Sequence, residues 1–191
     1  MSVSINGVWS ERSNAEELGL GVSRLTGHAT AAIWNPSSGT FGDLFQTMFV
    51  NKLGIVDATT ESEVKEIRLL ISSLPEDATL LVLAHSQGGA ISSTAFSLLG
   101  PSERAKIKFI SAGGANYRLP DGLFDYENVV NWADLVPQAF GPGFGFLIGV
   151  EAQPHYVWFR EFPVNHTGIR YLEVLRKEED DRCRKKECGG W

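Results

Sequence analysis

Short β-rich segments alternate with helical patterns along this chain, and that alternation predicts a compact α/β fold. The sheet is expected to be mostly parallel, with about six strands flanked by helices. Two segments anchor the prediction. Residues 79–84 are almost wholly apolar, as a strand buried on both faces should be. Residues 60–74 place Val64, Ile67, Leu70, Ile71 and Leu74 along one side of a helix, and Pro75 stops it.

The remaining elements follow in order. Residues 3–8 read as a first strand ending at Asn6-Gly7. Ser13 and Glu16 have the spacing of a capping box, and Ala15, Leu18, Val22 and Leu25 continue as a helix that Gly27 ends. Residues 30–34 form a second strand, closed by the turn-forming run Asn35-Pro36-Ser37-Ser38-Gly39. A short helix is expected at 43–53, and Thr60 with Glu63 suggests a second capping box. Residues 88–99 read as a helix ended by Gly100-Pro101. Residues 106–111, 128–132 and 155–160 supply three more strands, and 167–176 a last helix. The domain is therefore expected to span 1–176, with 177–191 a charged, flexible tail.

The chain has 191 residues, 23 acidic against 17 basic, for a net charge of −6. The tail balances five acids with five bases, so the surplus lies in the body of the fold. That argues against a nucleic-acid partner, which a basic face would serve. A hydrophobic content of 43% argues against a disordered chain. Both cysteines, Cys183 and Cys188, lie in the tail and cannot staple the body of the fold. No spacing of ligand residues suggests a metal, and no glycine-rich loop suggests a nucleotide, so neither metal nor cofactor is expected. The N-terminus lacks a basic and then apolar leader. The most apolar run, from Ala139 to Val150, is shorter than the roughly 20 residues a spanning helix needs. The expected location is cytoplasmic by default, or outside the cell by a non-standard route.

One segment carries chemistry: Leu81-Val82-Leu83-Ala84-His85-Ser86-Gln87-Gly88-Gly89-Ala90. An apolar strand runs into a serine with small residues two before and two after it, then into a helix. This is the pattern of a nucleophile elbow, with Ala84 at the first small position. The sharp turn lifts the Ser86 hydroxyl above the sheet, and bulk at positions 84 or 88 would clash with it. The helix that follows aims its N-terminal N–H groups at a developing oxyanion.

Such a serine needs a base and an acid to orient that base. Asp134 follows the strand 128–132, and His166 lies after the last strand and before the final helix. The order Ser86, Asp134, His166 puts all three at carboxyl ends of strands, where open α/β sheets build their sites. Asp121 and Asp125 precede the strand 128–132 and are weaker rivals for the acid. His28, His85 and His155 do not follow the last strand.

Ala84-His85-Ser86-Gln87-Gly88-Gly89 resembles the elbow of serine lipases and esterases of the α/β-hydrolase superfamily. Asp134-Leu135-Val136-Pro137 is similar to the acid loop of its lipase-like members. Ile5-Asn6-Gly7, Ile33-Trp34-Asn35 and Gly42-Asp43-Leu44 resemble segments of small bacterial hydrolase-like domains. The resemblance implies a compact α/β-hydrolase fold and a Ser86–His166–Asp134 triad cleaving carboxylic esters, with no cofactor and no separate lid domain. Asn6-Gly7 stands where such enzymes often carry His-Gly. The oxyanion donors are therefore expected from the N–H of Gln87 together with Val8 or Trp9. Trp9, His85, Phe140 and Phe144 are expected to contact substrate, and 139–150 could cover the site or touch a membrane transiently. The expected partner is a small-molecule or lipid ester. The same triad could instead run a thioesterase or acyltransferase, and a chain that has lost activity would be a binding or effector module.

Overall fold

The structure, a computed structural model, describes residues 1–7, 11–35, 56–115, 119–131, 133–134 and 167–185, together with the backbone of 156–159. The strands are β1 (Ser2–Ile5), β2 (Thr30–Ile33), β3 (Leu80–His85), β4 (Ile107–Ala112), β5 (Asp125–Asn131) and β6 (Tyr156–Phe159). The helices are α1 (Arg12–Thr26), α2 (Ala58–Ser73), α3 (Gln87–Ser97), α4 (Pro101–Arg104) and α5 (Gly168–Arg184). The strands form one six-stranded sheet in the order β2-β1-β3-β4-β5-β6, and every neighbouring pair is parallel. This is the expected mostly parallel sheet of about six strands, with β3, the strand that leads into Ser86, near its centre.

Residues alternate along β3 to build two cores. Leu80, Val82 and Ala84 join Val3, Ile5, Val64, Ile67 and Phe96 under α2 and α3. Leu81 and Leu83 join Leu18, Val22, Tyr171, Leu172 and Leu175 under α1 and α5. Both faces of the central strand are thus covered, which is why the stretch reads as continuously apolar.

The chain moves outward from β1 to β2, then returns to the other side of β1 to lay down β3. The sheet order therefore reverses between β1 and β3. Open α/β sheets bind ligands beside the carboxyl ends at such a reversal. Gly7 follows β1 and Ser86 follows β3 at that point.

Several boundaries differ from expectation for local physical reasons. Helix α1 starts at Arg12 after Glu11, so Ser13 lies inside the helix, and its hydroxyl meets Asn14 rather than a free N–H. Gly27, at φ 71, ends α1 as expected by donating to Ser23 O. Helix α2 is capped by Asp57, whose carboxylate accepts from the Thr60 N–H at 2.7 Å and its hydroxyl at 2.8 Å. Thr60 is thus the capped residue, not the cap. Gly100-Pro101 ends one helix and starts another. Glu103 accepts from the Gly100 N–H at 2.6 Å and sets up the single turn of α4.

The last helix runs further than expected. Residues 177–184 of the expected tail continue α5. Its balanced charges pair along the helix, as between Arg184 and Asp181, and Arg182 reaches back to Glu127 on β5 at 3.1 Å. Cys183, near the end of this helix, is disulfide-bonded. The helix expected at 43–53 lies outside the described residues.

Candidate active site

Strand β3 delivers Ser86 directly into α3. Its backbone sits at φ 56, ψ −124, and it is the one non-glycine residue at positive φ among the described residues. A serine holds such a conformation only when its surroundings fix it. Here Ser86 N–H donates to Ala112 O at 3.2 Å, while Ser86 O accepts from Gly89 N–H at 3.1 Å and Ala115 N–H at 3.0 Å. The elbow is thus fastened both to the end of β4 and to the first turn of its own helix.

Close approach explains the small residues around it. A Cβ on Gly7 would lie 2.5 Å from Ser86 Cβ and 2.9 Å from its Oγ. A Cβ on Gly88 would lie 2.8 Å from Ile5 O. Backbone from the end of β1 therefore runs directly past the serine hydroxyl, and α3 packs on β1 at backbone distance. Ser86 itself is only 3% exposed.

A chain of buried amides, not expected from the sequence, ties this region together. Asn6 Oδ1 accepts from Asn35 N–H at 2.8 Å, and Asn35 Nδ2 donates to Gln87 Oε1 at 2.7 Å. Asn6 Nδ2 donates to Gly7 O at 2.9 Å. The ends of β1 and β2 and the residue after Ser86 are thereby held in one network. Gln87 begins α3, so its side chain is anchored where its N–H is expected to serve an oxyanion. Asn6 and Asn35 each follow a strand, but nothing in the sequence pairs them with each other or with Gln87.

Asp134 lies just beyond β5, as expected, and is 2% exposed. An Asx turn sets it there: Ala133 N–H donates to Asn131 Oδ1 at 3.1 Å, and Asp134 N–H to Asn131 O at 3.0 Å. Its Oδ2 accepts a 2.6 Å hydrogen bond from the Tyr171 hydroxyl, which rises from α5. β3 and β5 flank β4, so strand spacing sets their carboxyl ends roughly 10 Å apart. That gap has the scale an imidazole would bridge.

His85 is 8% exposed and points away from α3, with its ring 5.9 Å from that of Tyr171. It fills the layer between β3 and α5. His166, Val8, Trp9, Phe140 and Phe144, as well as the run 139–150, lie outside the described residues.

A second buried carboxyl was not expected. Glu63 on α2 is fully buried at the α2–α3 interface, and among the described residues neither of its oxygens has a hydrogen-bond partner. Loss of solvent pushes its pKa up from 4.5 to about 8; the nearby Ser92 hydroxyl lowers it slightly without reaching hydrogen-bond geometry, and the Asp57 charge raises it. Among the described residues, no cluster of side chains could hold a metal ion, and no helix is long and apolar enough to cross a membrane.

No family model matches the chain, and no curated protein matches it. Among solved structures, a Trichoderma reesei cutinase in complex with a C11Y4 phosphonate inhibitor is similar to it at 13% identity, over 92% of this chain and 76% of that one, with a TM-score of 0.47.

Proposed function

We propose that the protein is a serine hydrolase of carboxylic esters, resembling small lipases and esterases. The observation that carries this reading is the backbone of Ser86, held at φ 56 between β3 and α3 at the point where the strand order reverses. An ordinary strand-to-helix turn has no need of a strained serine with a glycine backbone against its hydroxyl.

In this reading Ser86 Oγ attacks the acyl carbonyl while His166 takes its proton. The tetrahedral oxyanion is met by the N–H of Gln87 and one from the Val8–Trp9 stretch that follows Gly7. The carbonyl–oxygen bond to the alcohol breaks, His166 passes its proton to that leaving oxygen, and an acyl-enzyme remains. Water, deprotonated by His166, then releases the acid and restores Ser86. Asp134 keeps the imidazole in the tautomer that accepts from serine. Trp9, Phe140 and Phe144 are the proposed substrate contacts, and His85 is assigned to packing under α5 instead. A lipid ester would reach the site by apolar contact through 139–150, since the net charge of −6 opposes docking on an anionic bilayer.

A fluorophosphonate probe tests this directly. Wild type is expected to label at Ser86 and to hydrolyse short p-nitrophenyl esters, and Ser86→Ala to do neither. Protein that neither labels nor hydrolyses would be a binding module. Turnover of thioesters with none of oxygen esters would make it a thioesterase.

A further inference from the structure

Tyr171 ties α5 to Asp134. It is fully buried, and its hydroxyl donates to Asp134 Oδ2 at 2.6 Å. The surroundings of that hydroxyl are closely fitted. Gly113, at φ 57, sits at the end of β4, where a Cβ would lie 2.5 Å from Tyr171 Cζ and 2.6 Å from its hydroxyl oxygen. Gly113 N–H in turn donates to Val129 O at 2.9 Å, so the backbone under the phenol is fixed to β5. The His85 ring closes another side of the aromatic ring. A tyrosine in a purely apolar role has no use for a backbone that leaves room only for its hydroxyl end.

We infer that Tyr171 is a positioning residue for the proposed reaction: its phenol fixes one oxygen of Asp134 so that the carboxylate presents a set face to His166. This rests on the hydrolase reading above. The sequence adds a second link. His166 immediately precedes Thr167, whose side chain caps α5 by accepting from Arg170 N–H at 3.3 Å. Tyr171 follows one turn later, with its N–H bonded to Thr167 O at 3.4 Å. In the sequence, His166 and Tyr171 thus flank the start of one helix. Misplacement of the acid would be felt at the base, where errors of about 1 Å cost up to roughly a hundredfold in rate.

The test uses fluorophosphonate labelling of Ser86 and ester hydrolysis across pH, in wild type, Tyr171→Phe and Leu175→Ala. Tyr171→Phe keeps the ring and removes only the donor. It is expected to slow labelling and kcat about tenfold with KM within about twofold. The acid limb of its pH profile should move to higher pH, because a carboxylate without its phenol donor pulls harder on the imidazolium. Leu175→Ala loosens the same helix without touching Asp134, so it should lower Tm and leave the profile in place. If wild type labels at Ser86 and Tyr171→Phe matches it in rate and limb, Tyr171 is mere packing and this inference is overturned alone. It is likewise overturned if Leu175→Ala moves the limb equally. A wild type that does not label overturns the hydrolase reading and this inference with it.

Discussion

Two carboxyl groups are buried, Asp134 just past the end of β5 and Glu63 between α2 and α3, and they are treated in opposite ways. Asp134 has a phenol donor at 2.6 Å and a turn built to place it. Glu63 is as deeply buried, has no hydrogen-bond partner among the described residues, and is pushed up to a pKa of about 8. In the hydrolase reading Asp134 is the orienting acid, so burial alone does not mark one. Around Asp134 the fold supplies a donor that a carboxylate can use, whereas around Glu63 it leaves a group that is mostly neutral at pH 7.

The largest effect that could break this contrast is at Asp134. Asp134→Asn should cost about 10⁴-fold in kcat by leaving the base in the wrong tautomer; fluorophosphonate labelling at Ser86 follows it, and near-wild-type labelling would remove Asp134 from the site. Glu63→Gln should instead leave labelling intact and change stability. Glu63 binds its proton more tightly folded than unfolded, so its contribution is fully present below about pH 4.5 and is lost as pH rises towards 8. Urea unfolding of wild type should weaken by several kcal/mol across that window relative to Glu63→Gln. Parallel curves would show that Glu63 is solvated or paired. Gly113→Ala places a methyl against the Tyr171 hydroxyl at a positive φ. It should lower stability by about 1–3 kcal/mol and slow labelling, read by thermal melting and probe kinetics on one sample. The smallest effect is at the pair of Glu127 with the part-exposed Arg182: Arg182→Ala should shift stability by no more than about 1 kcal/mol, read by the same urea titration.

What could be read from the sequence was what is local. The elbow is a strand, a turn and a helix within ten residues, and each part constrains the next, so Ser86 and its small neighbours stand out. Asp134 could be placed because it follows a strand by three residues. Its donor could not. Tyr171 lies 37 positions away and reads as one more apolar residue on a helix face. The same holds for Asn6, Asn35 and Gln87, which only the strand order brings together. Asp57 and Thr60 have the spacing of a cap just as Thr60 and Glu63 do, and Glu63 turned inward instead, so pattern alone chose the wrong pair. The charged end of α5 looked like a solvated tail because its tether, Glu127, is a tertiary partner.

The strain at Ser86 has a consequence for how this sequence can change. Glycine would adopt φ 56 without strain, so Ser86→Gly should be more stable than wild type by about 1 kcal/mol or more and, in the hydrolase reading, inert. In the hydrolase reading, the sturdiest version of this chain is then not the working one. Screening variants for heat resistance alone would steer the elbow towards silence.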